Sequence, residues 1–209
     1  MKRIYLVALS VALGALLGLT ACAPFWGPTP SGGGMMGGQG GGMTDYYSGV
    51  PTAPSHDDAK AIADSYVASL NNAELEIDEL EEYSHNFYVS LVEKSTGRGA
   101  TEIIIDKYSG SYQPEPQSMM WNGKYGMMGS YQQAQMSVSP QQAMEIARDF
   151  LDAVYPGTEA DEIVVYYGYY TIMTKLEGEH YGMLSVNGYS GNVWYHTWHG
   201  MFISEVEEH

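Results

Sequence analysis

From Ser55 onward, apolar residues recur in a helical rhythm. Ala59, Ile62, Ala63, Tyr66, Val67 and Leu70 fall at i, i+3, i+4, i+7, i+8 and i+11, one face of an amphipathic helix. The same frame returns after Ser139, with Ala143, Ile146, Ala147, Phe150, Leu151 and Val154. Both serines suit the N-cap, and Pro140 suits the first helical position, where a missing N–H costs nothing. After each helix the pattern changes to strand-like segments. Leu75 to Leu80, Phe87 to Val92 and Thr101 to Asp106 follow the first helix. Ile163 to Tyr167, Tyr169 to Thr174 and Gly182 to Asn187 follow the second. Polar turns with Gly97 and Gly178 separate matching segments, and Tyr-Ser-Gly closes each set at Tyr108 to Gly110 and Tyr189 to Gly191. The pattern predicts an α+β fold of two tandem repeats, 55–118 and 137–209. Each is one amphipathic helix packed on a small antiparallel sheet of about three strands. Between them, 119–136 reads as a Met- and Tyr-rich hairpin or connector, with Asn122-Gly123 as a two-residue turn. Trp121 to Tyr125 and Trp198 to Phe202 would close the two copies alike.

Ahead of the repeats, Lys2 and Arg3 precede an apolar run from Ile4 to Leu19, too short for a membrane span and suited to a signal peptide over 1–21. The run ends in Leu19-Thr20-Ala21-Cys22, which resembles the lipobox of bacterial lipoproteins. That resemblance implies diacylation of Cys22, cleavage before it, and a chain held extracytoplasmically by a lipid anchor in the cell envelope or periplasm. With alanine at position 23, it implies the outer membrane if the cell is Gram-negative. Residues 22–54 are rich in glycine and proline and read as a flexible tether.

Composition narrows the function. Twenty-five acidic against nine basic residues give a net charge of −16, which repels phosphate backbones and argues against nucleic-acid binding. The single cysteine rules out an internal disulfide. No Gly-x-Ser-x-Gly, His-Glu-x-x-His or phosphate-cradling glycine loop occurs in the region expected to fold, so neither an enzyme nor a nucleotide site is expected.

The Ser-x-x-x-Ala helix opening, the Ile-Ala three residues later and the strands ending in Asp-x-x-(Ser/Thr)-Gly resemble the PepSY domain. The matching residues are Ser55, Ala59, Ile62, Ala63, Tyr88, Val89, Asp106, Ser109 and Gly110 in the first copy. In the second they are Ser139, Ala143, Ile146, Ala147, Tyr170, Ser190 and Gly191, with Asn187 in place of the aspartate. The resemblance implies a small α+β module that binds an envelope protein and restrains peptidases, here in trans because no protease domain follows. It brings no catalytic residues.

Three clusters could carry chemistry. The acidic stretch Glu74, Glu76, Asp78, Glu79, Glu81 and Glu82 reads as a solvated face, or as a lure for a cationic partner or calcium. Met119, Met120, Met127 and Met128 would meet across the expected hairpin as soft ligands for Cu(I), with packing as the alternative. His196 and His199 point to opposite faces if they lie on a strand, so joint ligation needs a turn there. Eighteen tyrosines suggest sheet faces with one side partly wet, and Tyr166, Tyr167, Tyr169, Tyr170, Trp121 and Trp198 are the candidate partner-binding residues. The expectation is thus a lipid-anchored protein-binding module without a cofactor. Copper binding and a purely structural envelope role are the alternatives.

Overall fold

The computed structural model describes residues 53–127 and 135–205. The signal peptide, Cys22, all but the last two residues of the tether, and Met128 lie outside the described residues.

Helix α1, His56–Ser69, starts at a capping box: Ser55 Oγ accepts from Asp58 N at 3.2 Å while the Asp58 carboxylate accepts from Ser55 N at 2.9 Å. Helix α3, Pro140–Val154, repeats the device with Ser139 and Gln142, at 3.2 and 2.8 Å. Four antiparallel strands follow α1: β1 Leu75–Tyr83, β2 Asn86–Glu93, β3 Gly99–Asp106 and β4 Tyr112–Pro114. After a short helix α2, Pro116–Met120, and α3 come β5 Thr158–Val165, β6 Tyr169–Leu176, β7 Glu179–Asn187 and β8 Val193–Tyr195. Each set therefore has four strands in chain order, one more than expected, because the chain turns back after each Tyr-Ser-Gly to add a short strand. Both turns use one side-chain oxygen. Asp106 Oδ1 accepts from Tyr108 N and Ser109 N at 3.0 and 2.8 Å, and Asn187 Oδ1 accepts from Tyr189 N and Ser190 N at 3.0 and 2.9 Å. Only an acceptor is needed, so the amide at 187 serves as well as the carboxylate.

A last strand, β9 Phe202–Glu205, leaves the second half and pairs with β1, so the sheet orders are β4-β3-β2-β1-β9 and β5-β6-β7-β8. The segment 137–209 thus supplies an edge to the other sheet.

Each helix packs on its own sheet. Ala59, Ala63, Leu80, Phe87, Val89 and Ile103 form one core, and Ala143, Ala147, Leu151, Ile172, Leu184 and Val186 form the other. A third cluster joins Tyr83 and Tyr88 of the first sheet to Met173 and Met183 of the second. The layers run helix, sheet, sheet, helix. Both faces of the sheets are covered at the centre, which is why every residue of β2 is buried. This corrects the expectation of a partly wet tyrosine face, since that face is the contact between sheets.

Two local expectations also change. Among the described residues no strand flanks Asn122-Gly123, which follows the end of α2 rather than a β-strand. Trp121 ends α2, and Asn122 Oδ1 accepts from Lys124 N and Tyr125 N at 3.0 and 2.8 Å while its amide donates to Ala100 O at 2.7 Å. The acidic stretch is not one solvated face either. A bulge between Ile77 and Glu79 in β1 shifts the alternation, and Glu81 lands in the interior beside Tyr83.

Candidate functional site

The layer between the sheets is the only part of the described interior where carboxylates, imidazoles and hydroxyls are buried together. Its first element is Glu102 on β3, fully buried. Tyr88 and Thr171 donate to its Oε1 at 2.7 and 2.6 Å; Tyr169 and the Gln117 amide donate to its Oε2 at 2.7 and 3.0 Å. Two of these donors, Tyr169 and Thr171, come from the second sheet, so the carboxylate stitches the halves. Burial pushes Glu102 up to about 7 and the Glu115 charge adds to this, while the hydrogen bonds from Thr171, Tyr169 and Tyr88 pull the other way.

The second element is a trio. Glu115 sits between β4 and α2; its N–H extends the ladder by donating to Glu102 O at 2.9 Å, and its side chain does not cap the helix that Pro116 begins. His196 follows β8 directly, its N–H donating to Met183 O at 3.0 Å, and His199 lies in the turn that leads to β9. All three residues are at most 3% exposed, and one donor atom from each lies within 4.8 Å of the others. Glu115 Oε1 and His199 Nε2 are 3.2 Å apart, an ion-pair separation, yet they are not aligned as a hydrogen bond. Glu115 Oε2 and His196 Nδ1 have no hydrogen-bond partner.

Outer contacts hold the rings. His199 Nδ1 is 2.7 Å from Asn86 Oδ1, and the Asn86 amide donates to Trp198 O at 3.2 Å. Tyr83 stacks on His199 at 4.7 Å and Trp198 on His196 at 4.6 Å between centroids. His196 Nε2 is 3.0 Å from Ser185 Oγ, which is 3.1 Å from Thr171 Oγ1. Burial holds the His196 imidazole well below its ordinary range, and His199 adds to this.

Of the residues singled out in the sequence, His196 and His199 come together because the chain leaves the strand at Tyr195, the turn their joint use required. Glu115 had no signal: it lies between prolines in a stretch that reads as a loop. Tyr166, Tyr169 and Tyr170 are at most 1% exposed, so they pack the interior and cannot present a docking face. Tyr167, Trp121 and Trp198 are half-buried; the Tyr167 hydroxyl donates to Glu93 at 2.9 Å, and Arg98 lies 3.9 Å over its ring. That ring borders a cavity of about 790 Å³ also lined by Lys124, Val138, Tyr170 and Tyr189. Met120 and Met127 are 59% and 83% exposed, Met127 N donates to Met119 O at 3.2 Å, and Met128 lies outside the described residues. Among the described residues no helix is long and apolar enough to cross a membrane.

No known family matches the chain, and no curated protein does. Among solved structures, it is similar to the Bacillus megaterium YpeB C-terminal domain, at 15% identity over 68% of this chain and 61% of that one, with a TM-score of 0.27. The chain thus spans less than two thirds of that structure, and a score of that size carries no weight for fold or function.

Proposed function

We propose that this chain is a lipid-anchored protein-binding module of the bacterial envelope, made of two PepSY-like units and tethered through Cys22. The two halves support the pairing of units: each has a Ser-capped helix, four antiparallel strands in chain order and an Asx turn before the last of them. The observation that carries the binding reading is the edge of the second sheet. Strand β5 is eight residues long and, among the described residues, pairs on one side only, with β6. An unpaired edge of that length accepts an extended segment through main-chain hydrogen bonds. Exposed Glu159 and Glu162 select a basic segment, in keeping with the net charge of −16. A peptidase is the partner class that the PepSY resemblance brings, and restraint in trans is the proposed activity.

The test is affinity capture of the full-length lipidated protein from its native membranes after mild cross-linking, beside the Glu159→Lys/Glu162→Lys variant. One dominant envelope protein, lost in the variant, is the expected result. An empty capture at both low and physiological salt overturns the reading, and capture unchanged by the double reversal overturns the role of β5.

A further inference from the structure

Counting protons through the layer between the sheets shows what the trio lacks. With Thr171 donating its one hydroxyl proton to the Glu102 carboxylate, Ser185 donates to Thr171 and accepts from His196 Nε2–H. That leaves His196 Nδ1 as a bare lone pair. Asn86 is turned by its amide bond to Trp198 O, so its oxygen accepts from His199 Nδ1–H and leaves His199 Nε2 bare as well. Glu115 completes the set with an oxygen that has no donor. Three acceptors thus converge in the interior. A single proton shared by two of them would still leave the third without a donor, whereas a cation satisfies all three.

We propose that Glu115, His196 and His199 bind a divalent transition-metal ion, zinc in the first instance, which ties the end of the second sheet to the first. Two imidazole nitrogens and one carboxylate suit zinc and its neighbours rather than calcium or magnesium, which take oxygen ligands. The 3.2 Å between Glu115 Oε1 and His199 Nε2 is close to the ~3.3 Å edge of a tetrahedron with bonds of 2.0–2.1 Å. Asn86 and Ser185 hold the other ring nitrogens, as the outer partners of metal-bound histidines do. With all three ligands buried, a fourth position admits water but no substrate, so the ion acts as a clip. The inference stands apart from the protein-binding reading, and a failed capture leaves it untouched.

The experiment titrates the full-length chain, stripped with chelator, with zinc by calorimetry and with Co²⁺ by visible absorption. We expect one ion per chain, a higher Tm with zinc, and the intense Co²⁺ bands of a four-coordinate site. Glu115→Gln and His199→Ala weaken zinc by more than the roughly 10–100-fold expected for Asn86→Ala, an outer partner. His56→Ala, at the start of α1 and paired with Glu82, leaves binding unchanged, as does leucine at Met119, Met120, Met127 and Met128. If His199→Ala does not fold, Glu115→Gln, which keeps the side chain's shape, decides. Absence of saturable zinc binding by the folded chain overturns the proposal. So does undiminished affinity in Glu115→Gln, or loss of binding on replacing the methionines.

Discussion

The molecule has two kinds of interior. Beneath α1 and α3 the buried cores are Ala, Val, Leu, Ile and Phe with Tyr170 the one polar-tipped member, and they are held chiefly by burial. Between the sheets the interior is equally buried but is built from Tyr88, Glu102, Glu115, Thr171, Ser185 and the two histidines, and it is held by hydrogen bonds. The helix-facing cores tolerate exchange of one apolar side chain for another of similar volume. The middle layer does not, because Glu102, Ser185 and Asn86 each depend on a named partner and an orphan there cannot reach water. Fold is therefore secured on the outside of the sandwich and geometry on the inside.

The largest test removes one group from each kind. Leu151→Ala empties part of a dry core and should cost about 2–5 kcal/mol. Glu102→Ala strips the acceptor from Tyr88, Tyr169, Thr171 and Gln117, at about 1–3 kcal/mol for each buried donor left short. Urea unfolding should thus rank it as the more damaging of the two, and the reverse order would make the layer a passive filler. Next comes Gly99→Ala. A methyl there would sit 2.5–2.8 Å from the Tyr166 ring of the other half, so we expect a loss of about 1–3 kcal/mol by the same assay, with the helix signal in circular dichroism retained.

A slope with pH should follow. Burial, helped by the charge of Glu79, pushes Glu81 up to about 8, and burial, with Glu205 and Asp78 adding, pushes Glu79 up to about 7, from an ordinary 4.5. A carboxyl with a raised folded value contributes stability that is full below about pH 4.5 and is lost as pH climbs through 7 to 8. His180, lowered by burial to about 4 from 6.5, has the opposite slope but only below pH 6.5. Between pH 6.5 and 8 the fold should therefore weaken as pH rises, and Glu81→Gln should flatten the trend in urea titrations. The smallest effect is Ser139→Ala, which removes the cap of α3 at about 1 kcal/mol and leaves the middle layer intact.

The same division explains what could be read from the sequence. Helices α1 and α3 and most of the longer strands follow from periodicity, because a dry core writes apolar residues at fixed spacings; α2 went unread and β5 begins five residues before the expected strand. The middle layer writes the opposite sign. Glu81 belongs to an acidic stretch that reads as a solvated face, and Ser185 sits between Leu184 and Val186, yet with Glu102 they are at most 2% exposed. The bulge in β1 turned Glu81 inward, and nothing in Ile77-Asp78-Glu79 announces it. His196 and His199 were visible as a pair, but their third member is about 80 positions away between two prolines, a separation that only the fold closes. The tyrosines misled for a related reason. A polar tip serves a wet surface and a buried carboxylate equally well, and residues 166, 169 and 170 lie in the interior.

Strand β9 bears on timing. Strands β1 to β4 precede the second sheet in the chain, yet the partner of β1 at its outer edge is encoded about 120 residues later, a long closure of the kind that slows folding. Until Phe202–Glu205 pair with β1, that flank of the first sheet stays open, whereas the turn carrying His196 and His199 is already held by Asn86, Met183 and Ser185. The first sheet is therefore complete only when the segment that follows the two imidazoles has been added to its edge.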